Sequence, residues 1–306
     1  MKIYKNLEGQ VFPKTAVTVG IFDGLHRGHQ VILDKLKSEA HALNAESLVF
    51  TLHPHPRAVL GKDSGDISCL MTQDEKIAAF QNAGTEHLVI YPFSKEFAAY
   101  TAFEFIEEIL HKKLNAQKLV VGYDHKFGSD QLGDLNILNS YAQKFDFSAV
   151  QAPKHLEDGR TISSSLIRQL LLDGKLELAN KYLGYRYRIS GEVVRGDQIG
   201  RAIGFPTANL HVDANKLLPQ NGVYAVKVFI DGTEHKGMLN IGMRPTINKS
   251  NSFRTEVHIL DYVADLYGKQ ISLEIHHRIR DEKRFVNIKA LKAQLEADKA
   301  KVKKLM

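Results

Sequence analysis

The sequence has 306 residues and a single cysteine, Cys69. No disulfide can form within the chain, and a reducing compartment is expected. No uninterrupted apolar run is long enough to span a bilayer. The first residues, MKIYKNLEGQ, lack the apolar core of a signal peptide. A cytoplasmic protein without a membrane segment is therefore expected. Internal repeats and low-complexity segments are absent. So are a basic helix, an aromatic nucleic-acid motif and a zinc-type spacing, so no nucleic-acid partner is expected.

What is present is ordinary globular composition, 43% hydrophobic and 25% charged, at a length that favours two domains. The formal charge of +6 and a pI near 9.1 suit anionic ligands such as nucleotides, phosphorylated metabolites or nucleic acid, without choosing among them. Much of that excess reads as solvated surface. The terminal ADKAKVKKLM reads as the end of a polar helix.

Short apolar runs alternate with amphipathic segments through the first part. Strands are expected at Ala16–Phe22, Glu46–Leu52, His87–Phe93, Lys118–Gly122 and Phe147–Ala152. Between the first two, Val31, Ile32, Leu36, Ala40 and Leu43 recur at helical spacing. Thr72 with Glu75, and Thr101 with Glu104, have the spacing of capping boxes; the first of these helices is expected to end at Gly84. The alternation predicts a parallel sheet with helices on both faces. After Leu183–Tyr187 the runs become short and alternating: Gly222–Gly232, Gly237–Gly242, Arg254–Leu260 and Gln270–Ile279. They predict an antiparallel sheet or barrel, closed by a helix from about Asn287. A short helical or loop linker is expected between the halves.

GIFDGLHRGH (Gly20–His29) falls beyond the carboxyl end of the first expected strand, where open parallel sheets bind ligands. A helix starting near Gly28 would offer free amides to an anion. His26 and His29, three apart, can face the same way, and Gly28 keeps a side chain out of the space between them. Two imidazoles can donate to phosphate oxygens, more strongly if charged. A metal pair or two surface histidines are the alternatives. Metal pairs on helices more often use a spacing of four, and Asp23 is the only carboxylate nearby in the string. TISSSLIRQLL (Thr161–Leu171) places Ser163, Ser164 and Ser165 at another helix start, with Arg168 one turn in. Hydroxyls, amides and a guanidinium converge there, although serine caps commonly bind nothing.

GRAIGFPTANL (Gly200–Leu210) is the second constellation. Gly200 and Gly204 permit close backbone approach to phosphates, and Pro206 stiffens the loop. Thr207 and Asn209 share one side of an extended chain, and a hydroxyl with an amide oxygen suits Mg²⁺. A turn in which both bond only their own backbone is the competing reading.

GIFDGLHRGH with ISSSLIR resembles the HxGH nucleotidyltransferases, and within them the N-terminal half of the bacterial bifunctional riboflavin kinase/FMN adenylyltransferases, also called FAD synthetases. TLHPHP (Thr51–Pro56) and VVGYDHKFG (Val120–Gly128) resemble that family's other flavin and nucleotide segments. GFPTAN resembles the riboflavin kinase motif, GEVVRGDQIGR (Gly191–Arg201) its glycine-rich flap, and NGVYAV, NIGMRPT and EVHILDY follow in family order. The resemblance covers the whole chain. It implies a Rossmann-like nucleotidyltransferase domain over 1–183 and a small antiparallel β-barrel kinase domain with a C-terminal helix over 184–306. ATP, riboflavin and FMN are then the substrates and FAD the product, with Mg²⁺ accompanying ATP. It implies nucleotide or phosphate contacts at Gly20, Phe22, Asp23, Gly24, Gly28, Ser163, Ser164, Ser165, Gly200 and Gly204. Catalytic roles fall on His26, His29, Arg168 and Glu256, the last as general base. Flavin contacts fall on His55, Asp124, Arg278 and Phe285, and metal ligation on Thr207 and Asn209. Glu256 could instead pair with Arg254 or a cross-strand lysine, and Arg278, Arg280 and Phe285 could be surface residues. His53, beside His55, reads as solvated.

Two positions depart from the family pattern. Leu166 stands where a basic residue is usual, and His125 where an aromatic residue is usual. They leave room for a protein in which only one domain works. The basic pI leaves room for a non-catalytic flavin- or nucleic-acid-binding regulator.

Overall fold

Six strands lie side by side in the order Lys2–Tyr4, His87–Pro92, Glu46–His53, Thr15–Val19, Ala116–Val121 and Ser148–Gln151. Every neighbouring pair is parallel. The computed structural model describes residues 1–61, 68–123, 127–129, 133–196, 199–243 and 253–306. From Thr15–Val19 the chain moves outward to one side, then returns to Ala116–Val121 on the other. The direction of winding therefore reverses beside Thr15–Val19, the position at whose carboxyl end open α/β sheets bind ligands. Val17, Leu48, Phe50, Val89 and Leu119 are buried in the core of this sheet.

The first strand expected from the sequence stops at Val19, short of Phe22. Phe22 has φ 51° and Leu25 φ 31°, a left-handed turn that ends extension. The three-residue edge strand Lys2–Tyr4 was not expected, being too short to show a period. The capping box at Thr101 forms, with Glu104 reaching back to the Thr101 N–H at 2.8 Å. The helix it opens widens after one turn into a π-helix, Phe105–His111, which buries Phe105, Ile106, Ile109 and Leu110.

The second architecture is a closed antiparallel barrel of six strands: Ala208–Val212, Phe253–Ile259, Thr233–Met243, Gly222–Ile230, Gln270–Arg280 and Tyr187–Val194. The alternation read from the sequence places Tyr187, Ile189, Tyr224, Leu239, Val257, Leu273 and Ile275 out of solvent. Asn287 caps the closing helix Ile288–Leu305 by accepting the Ala290 N–H at 2.9 Å. Arg280 binds that helix through both oxygens of Asp298, at 3.1 and 2.9 Å from Nε. Asp298 is 2% exposed, and Gln294 Nε2 also donates to it.

The contacts gather into two compact units, Met1–Ile67 with Gln73–Ser163, and Ser68–Thr72 with Ser164–Met306. The second unit also holds two helices ahead of the barrel, Ser164–Leu172 and Leu176–Leu183. Buried Asn180 fastens them to the barrel, donating to the Ile275 carbonyl at 3.0 Å and accepting from the Tyr187 N–H at 2.8 Å. The Ser68–Thr72 segment is stitched in by backbone bonds from Cys69 N–H to Asn215 O and from Leu217 N–H to Cys69 O. Buried Lys216 donates to the Leu70 carbonyl at 2.7 Å, with its ammonium 4.4 Å from the Tyr187 ring centroid.

Candidate active sites

His26 is the N-cap of the helix Arg27–Ala42, so the helix begins one residue before the expected Gly28. The His29 N–H donates to His26 Nδ1 at 3.3 Å, which leaves the proton of a neutral His26 ring on Nε2. The two rings stack with centroids 3.6 Å apart and planes 17° apart. A Cβ on Gly28 would lie 3.2 Å from His26 Cε1 and Nδ1, so glycine here leaves room for that ring. His29 Nδ1 is buried and has no hydrogen-bond partner among the described residues. Burial, then the neighbouring His26 and Lys76 charges, hold His29 well below the ordinary imidazole value. It is neutral at pH 7, so it would donate to a phosphate as a neutral imidazole.

The turn ahead of the helix supports this arrangement. Phe22 is buried, with its ring edge-on to His29 at 5.1 Å and to Phe80 at 5.6 Å. Gly20 donates its N–H to the Phe50 carbonyl, and a Cβ there would lie 3.0 Å from the Phe22 ring. Asp23 is buried, and Gly24 takes φ 83°. Lys76, from the helix Gln73–Asn82, donates to the Ile21 carbonyl at 2.9 Å. Neither the capping role of His26 nor Lys76 was read from the sequence. A histidine cap lies outside the usual Ser/Thr/Asp/Asn signal, and Lys76 arrives from a distant helix.

A hairpin, Leu156–Glu157 with Arg160–Thr161, leads into the serine string, and Arg27 pairs with Glu157 at 3.4 Å. The Ile162 carbonyl lies 3.7 Å from where a Gly28 Cβ would be, so the chain reaches the histidine helix just before exposed Ser163. Ser164, Ser165, half-buried Leu166 and Arg168 belong to the second compact unit, where Arg168 Nε donates to the Ser68 carbonyl at 3.1 Å. His55 caps the short helix Pro56–Leu60, its Nδ1 accepting the Arg57 N–H at 3.1 Å. His53 is exposed. Asp124 and His125 lie outside the described residues.

In the barrel, Asn209 and Glu256 are direct cross-strand partners, and Asn240 faces Glu256 from the other side. Glu256 pairs with Arg254 at 2.6 Å, the alternative raised by its sequence position. Gly204 has φ 85°, and a Cβ on Gly200 would lie 2.2 Å from the Phe205 carbonyl, so both glycines shape the loop itself. A Cβ on Gly196 would lie 2.2 Å from Asn209 Nδ2, so the flap backbone lies against the Asn209 amide. Thr207 is exposed and borders a cleft of about 240 Å³, also lined by Val193, Arg201, Pro206, Tyr262 and Tyr267. Arg278 donates to the Asn221 carbonyl at 3.0 Å and to Asp281 at 2.5 Å, while its buried Nε has no hydrogen-bond partner among the described residues. Phe285 lies under Arg280, 5.9 Å from the guanidinium. Arg244, Pro245 and Thr246 of NIGMRPT are outside the described residues.

The FAD synthetase family model matches residues 9–166, and the riboflavin kinase model matches residues 183–306. The bifunctional riboflavin kinase/FMN adenylyltransferase of Escherichia coli K12 is 38% identical over 92% of this chain and 90% of its own. The chain belongs to the bifunctional riboflavin kinase/FMN adenylyltransferase family. The Bacillus subtilis protein of the same name is 37% identical over 94% of this chain and 90% of its own. A crystal structure from Streptococcus pneumoniae, described as a macrolide-efflux protein, superposes with TM-score 0.89 at 32% identity, covering 99% of this chain and 98% of that one. Membership of this family makes the chain a transferase of FAD biosynthesis by way of FMN, with a nucleotidyltransferase part and a kinase part. Among the described residues no helix is long and apolar enough to cross a membrane.

For a riboflavin kinase/FMN adenylyltransferase, the sequence pattern ended at Tyr262 of EVHILDY and missed Val263 to Tyr267, which also line the barrel cleft. That loop carries no glycine-rich or charged signature; only closure of the barrel brings it opposite Pro206. Gly196 was noticed only as part of the flap, because its proximity to Asn209 depends on strand register.

Proposed function

We propose that residues 1–183 carry adenylyl transfer to FMN and residues 184–306 carry phosphorylation of riboflavin, in a cytoplasmic protein whose small-molecule substrates are ATP, riboflavin and FMN. The observation that carries the first assignment is the stacked His26–His29 pair at a helix start, with a buried His29 Nδ1 that has no partner among the described residues. In adenylyl transfer an FMN phosphate oxygen attacks the α-phosphorus of ATP, the bond to the bridging oxygen breaks, and pyrophosphate leaves. No enzyme nucleophile is required, so catalysis is positioning and stabilisation of developing charge. His26, His29, Gly28 and the helix amides hold the ATP phosphates, with Gly20, Phe22, Asp23 and Gly24 shaping the turn beneath them. Ser163, Ser164, Ser165 and Arg168 stabilise the leaving group. His55 and Asp124 contact the flavin.

In the kinase part Glu256, oriented by Arg254, accepts the proton of the riboflavin 5′-hydroxyl as that oxygen takes the γ-phosphoryl group. Gly200 and Gly204 form the phosphate loop, and Arg278 and Phe285 contact the flavin. The Thr207 hydroxyl and the Asn209 amide are neutral oxygen donors that fit Mg²⁺. No group of three or more His, Cys, Asp or Glu suited to a metal is present among the described residues, so phosphates and water would complete the ligand set. Bound there, Mg²⁺ would neutralise charge on the transferring phosphate.

Incubating the purified chain with riboflavin, ATP and Mg²⁺ and separating flavins by chromatography tests both assignments. The native chain goes through to FAD despite Leu166 and His125. His29→Ala halts at FMN, and Asn209→Ala fails to phosphorylate riboflavin yet converts supplied FMN. The reverse pattern would overturn the assignment of domains.

A further inference from the structure

The barrel ladder carrying Asn209 is short. Ala208 pairs with Val257 and Asn209 with Glu256, and among the described residues no earlier one of the loop joins it. Continuing the register would set Thr207 opposite His258 and Pro206 opposite Ile259, but Pro206 has no N–H to donate. A side chain takes over at that point. His258 is 8% exposed, and its Nδ1 donates to the Pro206 carbonyl at 2.7 Å. Its ring also packs on buried Phe205, with centroids 5.1 Å apart. Burial holds His258 below the ordinary imidazole value, so the ring is neutral and a Nδ1–H donor.

His258 follows Glu256 by two residues on one strand, so both side chains project from the same face. Arg254, two residues before, lies on that face as well and pairs with Glu256. One strand therefore presents the carboxylate opposite Asn209 and, a rung further on, the imidazole that grips Pro206. The spacing between the proposed proton acceptor and the Thr207–Asn209 pair is set at both ends by the same piece of backbone.

We propose that His258 is a positioning residue of the kinase reaction, holding the Pro206–Asn209 loop in register with Glu256 so that Thr207 and Asn209 meet the metal–nucleotide. This rests on the assignment of those two residues to Mg²⁺ with ATP. His258 touches neither substrate nor metal, and its influence passes through the Pro206 carbonyl.

The test compares full-length His258→Leu, which removes the donor, with His258→Asn, whose amide N–H can replace Nδ1–H. Kinase kcat and KM are measured against ATP at fixed free Mg²⁺. Adenylyl transfer to supplied FMN and the urea midpoint are measured alongside. Loss of one hydrogen bond to the loop is expected to raise KM for ATP about tenfold in His258→Leu. KM should rise more than kcat falls, with adenylyl transfer unchanged and most of the loss recovered in His258→Asn. Unchanged kinetics in His258→Leu would overturn the proposal. So would a loss in kcat alone that tracks the urea midpoint and is equal in both variants. Asn209→Ala reports separately on the reading beneath it. If that variant keeps its Mg²⁺ and ATP dependence, the metal assignment is wrong, whatever His258 does.

Discussion

His26 and His29 lie face to face at 3.6 Å, and the backbone N–H of one residue is bonded to the ring of the other. Two charged rings at that separation would repel by about 4–5 kcal/mol even at an effective dielectric constant of about 20. The stack therefore excludes a doubly protonated state. With His29 neutral, the pair offers directed N–H donors instead of a diffuse cation.

Replacing His29 with alanine is expected to slow FMN adenylylation by about 10²–10³, as loss of one charge-stabilising donor does elsewhere. Riboflavin phosphorylation by the same sample should be unaffected. Initial rates of the two steps, started separately from FMN and from riboflavin, check this.

Gly28→Ala separates activity from stability. Alanine is favoured over glycine within a helix by about 1 kcal/mol, yet the added Cβ would meet His26 at 3.2 Å. Adenylyl transfer should drop while the urea midpoint holds or rises. Retained activity would show that the ring stack tolerates displacement.

Glu256→Gln keeps side-chain shape and removes the proton acceptor. Riboflavin phosphorylation should fall by about 10²–10⁴, the range of a positioned general base, with FMN adenylylation unchanged. A kinase within a fewfold of the native rate would leave Glu256 only its pairing with Arg254.

Asp298 is nearly excluded from solvent and holds Arg280 at 2.8 Å through Nη2. Asp298→Ala leaves the mostly buried Arg280 guanidinium with its bond to the Asp281 carbonyl but no carboxylate, and is expected to destabilise the barrel by about 3 kcal/mol. Urea denaturation followed by circular dichroism measures it.

Acid should weaken the fold through two rings. His29 and His258 both titrate below their ordinary value of 6.5 in the folded protein, chiefly through burial. Below pH 6.5 the unfolded chain binds more protons at these sites, so stability present above that pH is lost as pH falls. Urea midpoints between pH 7.5 and 5.5 should decline more steeply in the native chain than in a His29→Gln, His258→Asn double variant.

Much of this protein can be read along its length. The Thr101–Glu104 box, the inner sheet strands and the alternation of the barrel are local signals, and they appear near where their residues place them, apart from the early end of the first expected strand at Val19 and the short edge strand Lys2–Tyr4. Asn209 and Glu256 were singled out from separate strings, and the barrel register makes them neighbours. Non-local features were not legible. Lys76 reaches Ile21 from a helix 55 positions away. The Glu256–Arg254 pair could be raised as an option but not chosen. The helices Ser164–Leu183 read as part of the first half, because the Asn180 bonds that fasten them to Ile275 and Tyr187 leave no pattern in their own sequence.

The Ser68–Thr72 stitch bears on the order in which the chain can mature. Leu70 and the ammonium that holds it are 146 positions apart. At ribosomal rates of about 5–20 residues per second, the early piece emerges roughly 7–30 seconds before its partner exists. A fragment starting at 184 would lack both this piece and the helices Ser164–Leu172 and Leu176–Leu183, so the second compact unit cannot be cut out as one continuous stretch without leaving some of its own fabric behind.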